Sequence, residues 1–133
     1  MIASVRTALR WLLAIVFALA GYFHIVSPEP FLAITPDWVP MAEQVILLTG
    51  IAEFLGAAGL MVPALRGPAG WGLAAYTVCV FPANINHAVI DLANGTGLPL
   101  AYHLPRLLFQ PVILWACMWA AELIDWPFGR RRP

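Results

Sequence analysis

Charged side chains are scarce in this sequence. They make up 11% of the 133 residues, whereas soluble domains typically carry roughly 25%. Lysine is absent, so all seven basic residues are arginine. Hydrophobic residues make up 62% of the chain, and the mean hydropathy is +0.82. So little polar surface cannot cover a water-soluble globule, and the lipid bilayer is therefore the expected solvent.

Cysteine is also rare. The two cysteines, Cys79 and Cys117, each lie in an apolar run and form no CxxC or CxxCH motif, so a disulfide scaffold, a zinc site and a c-type haem are unsupported. No metal site is expected. A continuous basic face is lacking as well, so nucleic acid is not an expected partner. Because no nucleophile–base pair or phosphate-binding loop occurs, the sequence does not identify the protein as an enzyme.

Four long apolar segments occupy most of the chain, at about residues 5–26, 41–62, 68–91 and 104–124. Each is close to the roughly 20 residues that a helix needs to cross a hydrocarbon core of about 30 Å. The alternation typical of membrane β-strands is missing, and open sheet edges are not tolerated in lipid. The sequence therefore predicts an all-α, four-transmembrane-helix bundle that forms one domain over residues 1–133.

The first apolar segment allows a second interpretation. Arg6 and Arg10 precede an apolar run that includes Ala18-Leu19-Ala20, a pattern typical of a cleaved signal peptide. The run continues to Val26, however, so we interpret it as a retained helix. The loop that follows is expected to contain a short interfacial turn, with Trp38 at the level of the lipid headgroups.

The arginines predict the orientation of the bundle. With four crossings, the N-terminus, the second loop and the C-terminus lie on one side, and this side holds six of the seven arginines, while the other loops carry Glu29, Asp37 and Asp91. The positive-inside rule then places both termini in the cytoplasm. The six are Arg6, Arg10, Arg66, Arg130, Arg131 and Arg132.

Polar side chains interrupt all four apolar segments, and the predicted orientation brings most of them to the outer half of the bundle. Burying such groups in lipid is costly unless they face inward and find partners. We therefore predict one polar site in that half. Its predicted members are His24, Glu53, Asn84, His87, Arg106 and Gln110, with Asn86 and His103 as secondary members.

Glu53 is predicted to point into the bundle. Gly50, Gly56 and Gly59 flank it at a spacing of three residues, and such small residues let a neighbouring helix approach closely. Glu53 and Arg106 are the only opposite charges inside the outer halves of the helices. A direct or water-bridged pair between them would lower the cost of about 2.5–3.5 kcal/mol for a lone charge at the bilayer centre.

Structural roles are alternatives for each of these residues. Asn84, Asn86 and Gln110 could serve as hydrogen-bonding links between helices. Arg106 and His103 could extend to the outer interface, as long polar side chains do near helix ends.

Haem is a further alternative at this site. His24 and His87 lie at a similar predicted depth and could be two axial ligands of a b-type haem. A haem needs a wider cavity than four short helices usually leave, so it is not the expected cofactor.

Several motifs coincide with the polar residues. They are Gly21-Tyr22-Phe23-His24 followed by Pro28, Thr49 to Gly56 around Glu53 with Gly59-Leu60 and Pro63, Ala69-Gly70-Trp71-Gly72-Leu73, Phe81-Pro82-Ala83-Asn84-Ile85, and Arg106-Leu107-Leu108-Phe109-Gln110. Together they resemble the DoxX-like family of small four-helix bacterial membrane proteins. Leu108 departs from the family pattern, which has proline there.

The resemblance implies a multi-pass protein of the bacterial inner membrane that is associated with redox chemistry. The first hypothesis is an accessory subunit that binds a quinone-like molecule in the outer half of the bundle. The second is a non-catalytic assembly or scaffold protein whose polar cluster is structural. Expected partners are membrane lipid, a membrane or periplasmic redox protein and a second copy of the chain. Transport is disfavoured, because no internal repeat suggests alternating access.

Overall fold

The structure is a computed structural model that describes residues 1–95 and 97–129. These residues form five α-helices and one 3₁₀ turn, and no strand occurs within them. The helices are α1 (Ile2–Val26), α2 (Glu29–Ile34), α3 (Ala42–Met61), α4 (Arg66–Asn94) and α5 (Leu100–Ala120), with the 3₁₀ turn at Pro63–Leu65. The predicted all-α class is confirmed.

Three helical segments are long and apolar enough to cross a membrane, namely Ile2–Val26, Ala42–Met61 and Pro63–Asn94. They correspond to the first three predicted spans. The first loop contains the six-residue helix α2, and the predicted turn at Trp38 follows it, closed by a hydrogen bond from the Val39 N–H to the Pro36 carbonyl at 3.0 Å. Many large apolar side chains on these helices are exposed, including Leu48, Leu55 and Val78, as expected for a surface that faces lipid.

The ends of α4 and α5 differ from the predicted ones. α4 continues to Asn94, where Gly95 adopts a left-handed conformation (φ 64°) that ends the helix. α5 begins at Leu100 instead of 104 and ends at Ala120 instead of 124. Glu122 explains the early end, since its φ of 65° is incompatible with a continuing right-handed helix.

α1 and α3 pack closely, and glycine makes this contact possible. A Cβ atom added to Gly21 would lie 2.6 Å from the carbonyl oxygen of Gly50, and one added to Gly50 would lie 2.9 Å from the Cβ of His24. Further along α3, a Cβ on Gly56 would collide with Leu73 of α4. The predicted glycine strip thus brings α3 against both neighbours, and Glu53 between these glycines is only 2% exposed.

One end of the bundle is held by arginines, and we call it the arginine end. Arg6 contacts Asp125 at 3.0 Å, and Nε of Arg10 donates to the carbonyl of Ala120 at 2.7 Å. Arg10 also pairs with Glu122, which lies 3.7 Å from Arg66. Arg6, Arg10 and Arg66 therefore meet at one end, as their predicted shared side requires. Arg130, Arg131 and Arg132 lie outside the described residues, as does Thr96.

Between the arginine end and the polar residues lies a compact apolar core. Its buried side chains come from all four long helices and include Leu13, Phe17, Leu60, Leu73 and Cys117. Cys117 and Leu60 are fully buried. The core therefore separates the two polar regions of the bundle.

Candidate functional site

A cavity of about 300 Å³ occupies the half of the bundle farther from the arginine end. All four long helices and the loop after α2 contribute to its wall. Most of the lining side chains are apolar, among them Phe17, Phe31, Trp38, Val80 and Ile113. The polar lining residues are His24, Thr35, Thr49, Glu53, Tyr76, Thr77, Asn84, Arg106 and Gln110. An apolar cavity with a few converging polar groups is typical of small-molecule sites.

The first polar group of the cavity surrounds Glu53. Its Oε2 lies 3.1 Å from Nδ1 of His24, which is also 3.2 Å from the hydroxyl of Thr49. The Thr49 hydroxyl donates its only hydrogen to the Ile46 carbonyl at 2.7 Å, so it accepts a hydrogen bond from the Nδ1–H of His24. The hydroxyl of Tyr76 is a hydrogen-bonding neighbour of the carboxylate.

Glu53 nevertheless retains unused hydrogen-bonding capacity. Its Oε2 is buried and has no aligned hydrogen-bond donor within the part of the chain that the structure describes. An unsatisfied buried polar atom costs about 1–3 kcal/mol. Such an atom in the wall of a cavity is the feature expected where a bound molecule supplies the missing partner.

The second polar group of the cavity is centred on Arg106. Its guanidinium donates to Oδ1 of Asn84 at 2.7 Å and to Nδ1 of His87 at 2.9 Å. Nδ2 of Asn84 donates to Oε1 of Gln110 at 3.1 Å, and Nε2 of Gln110 donates to the Thr77 carbonyl at 2.8 Å. Asn84 and Gln110 therefore hold the arginine in position, and Arg106 has further N–H groups to offer a ligand.

A third cluster lies beyond the cavity, at the α4–α5 turn. Oδ2 of Asp91 is 3.1 Å from Nε2 of His87 and 3.0 Å from Nε2 of His103. It also accepts the backbone N–H of Leu98 at 3.0 Å. His103 is completely buried. Arg106 donates to the other ring nitrogen of His87. A chain of hydrogen bonds therefore runs from the cavity to the end of the bundle that is opposite the arginine end.

His87, Asp91 and His103 could supply three ligands to a metal ion, since their donor atoms lie within 4.8 Å of one another. The surroundings do not favour it. A metal on Nε2 moves the imidazole proton to Nδ1, which normally donates to an acceptor. Nδ1 of His87 faces the Arg106 donor, and Nδ1 of His103 is buried without a partner among the described residues. The cluster is therefore better suited to hydrogen bonding than to metal binding.

The predicted direct pair between Glu53 and Arg106 is wrong. Among the described residues, Glu53 approaches His24 and Arg106 approaches Asn84 and His87. The prediction used depth and charge, whereas packing decides the partners, because the close contact of α1 with α3 places His24 beside Glu53. A water-bridged pair remains a prediction.

Apart from Asn86, the predicted site residues divide into two groups. His24, Glu53, Asn84, Arg106 and Gln110 line the cavity. His87 and His103 belong to the cluster at Asp91. His24 and His87, the alternative haem ligands, therefore take part in different clusters.

Asn86 lies apart from both groups. Its Nδ2 donates to the Ile34 carbonyl at 2.9 Å and ties the end of α2 to α4.

The predicted site left out three participants. Asp91 had a readable signal, because the helical periodicity places it on the same helix face as Asn84 and His87, but it was given no role in the site. Thr49 stands in the motif around Glu53 without a predicted role. Tyr76 had no signal, since it is an ordinary residue in an apolar segment until the fold brings it beside Glu53.

Neither the curated proteins nor the solved structures contain a match to this chain. One family does match. Its sequence model, described as "Domain of unknown function (DUF8561)", covers residues 13–120, which include all four long helices in whole or in large part. The chain thus belongs to the DUF8561 family.

Proposed function

We propose that this protein is a redox-associated accessory subunit of the bacterial inner membrane that binds a quinone-like molecule in the cavity. The observation that carries the proposal is the buried Glu53 carboxyl group, which lines the cavity and whose Oε2, although 3.1 Å from Nδ1 of His24, has no aligned hydrogen-bond donor within the described part of the chain. A carboxylate accepts a hydrogen bond from a ligand hydroxyl, and a carboxylic acid donates one to a ligand carbonyl.

Arg106 supports a ligand with a second oxygen. Arg106 and Glu53 both line the cavity but bind different neighbours. A molecule with an apolar ring and oxygen atoms at two positions could contact both while its ring packs on Phe17, Phe31 and Ile113. Quinones and quinols have this chemistry, and the resemblance to DoxX-like proteins favours them.

α5 serves as the fourth membrane span in this proposal. Its 21 residues extend about 31 Å, close to the thickness of the hydrocarbon core. Its polar residues His103 and Gln110 are buried, while Leu104, Leu108 and Phe109 are exposed. The arrangement suits a helix whose polar face points into the bundle and whose apolar face contacts lipid.

The arginine end is the cytoplasmic end in this proposal. Arg6, Arg10 and Arg66 all lie there, and positively charged residues near helix ends favour the cytoplasm. Both termini are then cytoplasmic, and the cavity and the Asp91 cluster lie in the half nearer the periplasm.

Thermal unfolding in detergent tests the proposal. The probe is duroquinone, a quinone whose ring is fully methylated and therefore does not add thiols readily. A ligand at a hundredfold excess over its Kd stabilises the folded state by about 2.7 kcal/mol. We expect a higher midpoint for the wild type and a clearly smaller ligand-induced shift for Glu53→Gln or Arg106→Ala.

Two matched variants at the arginine end serve as controls. Glu122→Gln and Arg66→Ala make similar changes far from the cavity and should retain the ligand-induced shift. The absence of any shift in the wild type with duroquinone and its tailed analogues would contradict the proposal.

A second candidate is a non-catalytic assembly or scaffold protein. Asn84, Gln110, Arg106 and His87 hydrogen-bond to one another, as a purely structural network would, and Trp38 is strongly exposed at the cavity end. This candidate predicts that Glu53→Gln lowers stability in the absence of ligand and that no quinone changes the midpoint. A photo-cross-linker at position 38 should then capture a redox protein that co-purifies with the wild type and not with a Trp38→Ala variant.

A further inference from the structure

A second, apolar groove lies on the lipid-facing surface between α4 and α5. Its volume is about 380 Å³. Its apolar lining residues are Val78, Phe81, Leu107, Leu108, Pro111 and Leu114. None of the groove's lining side chains is charged. The groove therefore suits a hydrocarbon chain better than a polar molecule.

The groove and the cavity share two residues, Thr77 and Gln110. Both are buried, and Nε2 of Gln110 donates to the Thr77 carbonyl at 2.8 Å. These two residues thus form a wall between the polar cavity and the apolar groove. A rotation of the Gln110 side chain would break this bond and its bond to Asn84, each worth about 0.5–1.5 kcal/mol.

The backbone on both sides of the groove is weakened by proline. Pro82 lies inside α4 and Pro111 lies inside α5. A proline has no N–H, so it leaves the carbonyl four residues earlier without its helical donor. Those carbonyls belong to Val78 and Leu107, which both line the groove. The helices are therefore easiest to deform at the place where the wall would have to open.

We propose that this groove binds the linear apolar tail of the molecule whose polar ring occupies the cavity, with Gln110 as the side chain that separates the two compartments. The inference rests on the proposed function and narrows its ligand class to a membrane lipid with an oxygen-bearing ring and a hydrocarbon chain. Such a ligand reaches the cavity sideways from the bilayer.

The side of the cavity away from the groove is covered by side chains of α2 and of the loop after it, and this favours the lateral route. Phe31, Ile34 and Trp38 cover the cavity after α1, and the ring of His24 packs edge-on against Phe31 with centroids 3.9 Å apart. Asn86 fixes this cover by its bond to the Ile34 carbonyl. Access from water would have to break these contacts, whereas access from the groove requires movement of Gln110.

A comparison of ligands with and without a tail tests the proposal. The two probes are duroquinone and the analogue in which one ring methyl is replaced by a decyl chain. Their dissociation constants are measured by titration on the full chain in lipid nanodiscs. We expect the decyl compound to bind the wild type about tenfold more tightly, a difference of about 1.4 kcal/mol.

Two valines of α4 give a matched pair of variants. Val78 lines the groove and Val89 does not, and each is 58% exposed. Val78→Trp should fill the groove and remove the advantage of the tail, while the affinity for duroquinone stays unchanged. Val89→Trp should retain the advantage, which excludes a general effect of tryptophan on the lipid-facing surface. Simple partitioning of the decyl chain into lipid would be the same in both variants, so loss of the advantage in Val78→Trp alone points to the groove.

The outcomes separate this inference from the proposed function. If Val78→Trp retains the advantage of the tail, the groove proposal is wrong and the proposed function stands. If Val78→Trp weakens both ligands equally, the effect is structural and the groove proposal is again wrong. If neither ligand binds the wild type, both proposals fail. Leu108→Trp fills the groove from α5 and gives the same test if Val78→Trp does not fold.

Discussion

The two polar regions of this bundle use similar side chains in different ways. At the arginine end, Arg6 and Arg10 pair directly with the carboxylates of Asp125 and Glu122. In the other half, Glu53 and Arg106 lie in the wall of a cavity of about 300 Å³. At the arginine end opposite charges bind each other and tie the chain together, whereas in the other half Glu53 and Arg106 bind different neighbours and both line the cavity. The first region is suited to stability and the second to binding.

Removal of Arg106 should have the largest effect on binding. Arg106→Ala removes a charged donor from the cavity and releases Asn84 and His87. Hydrogen bonds to charged groups contribute about 1.5–3 kcal/mol, which corresponds to a loss of roughly tenfold to a hundredfold in affinity. Titration with duroquinone measures the change. Unchanged affinity would mean that Arg106 does not contact the ligand, which would contradict the proposed difference between the two regions.

Glycine at the α1–α3 contact should have the largest effect on stability in the cavity half. Gly50→Ala places a Cβ 2.9 Å from the Cβ of His24 and 3.0 Å from the Gly21 carbonyl, and overpacking of this kind costs about 1–3 kcal/mol. Equilibrium unfolding in mixed micelles gives the value.

Gly72 is the matched control for this prediction. It also lies inside a helix, and a Cβ there meets nothing within 4 Å. Gly72→Ala should stabilise the protein by about 0.5–1 kcal/mol, because alanine loses less entropy in a helix. A destabilising Gly72→Ala, or a neutral Gly50→Ala, would contradict the described helix contact.

Loss of the Asp91 carboxylate should loosen the turn between α4 and α5. Asp91→Asn removes the negative charge from the side chain whose Oδ2 faces His87, His103 and the Leu98 N–H, so these hydrogen bonds lose their charge assistance and weaken. We expect amide exchange at Leu98 to become faster by a factor of about ten, equivalent to about 1.4 kcal/mol of local stability. Hydrogen-exchange mass spectrometry reads this segment directly, and unchanged exchange would mean that Asp91 does not hold the turn.

Loss of a carboxylate at the arginine end should have the smallest effect on stability and on binding. Glu122 contacts Arg66 and the buried Arg10, and its own side chain is 44% exposed. Glutamine in its place keeps an oxygen that can still accept from Arg10, so the loss should stay within the range of exposed ion pairs, about 0–1 kcal/mol. Glu122→Gln should therefore lower the unfolding free energy by no more than about 1 kcal/mol and leave quinone affinity unchanged. A loss of affinity in this variant would show that the two regions are coupled across the core.

Much of the architecture could be predicted from the sequence, because lipid imposes simple constraints. Long apolar segments give the helices, and the arginines predicted the shared end that holds Arg6, Arg10 and Arg66. The glycine strip around Glu53 predicted its burial. Each of these signals can be read along the chain without knowing how the helices pack.

The partners of the polar side chains could not be predicted in the same way. Depth alone paired Glu53 with Arg106, but the contact between Gly21 and Gly50 places His24 next to Glu53. Tyr76 and the cavity itself depend on how four helices pack together, which no single segment encodes. The end of α5 was also missed, because the backbone conformation of Glu122 has no sequence signal.

The two native cysteines offer the most direct test of the cavity as a binding site. Cys79 lines the cavity and is exposed, whereas Cys117 is completely buried. Labelling with methyl methanethiosulfonate, followed by peptide mass spectrometry, reports both thiols in one sample. A saturating concentration of duroquinone should slow the labelling of Cys79 severalfold and leave the slow labelling of Cys117 unchanged. Equal labelling rates of Cys79 with and without the quinone would contradict binding in this cavity.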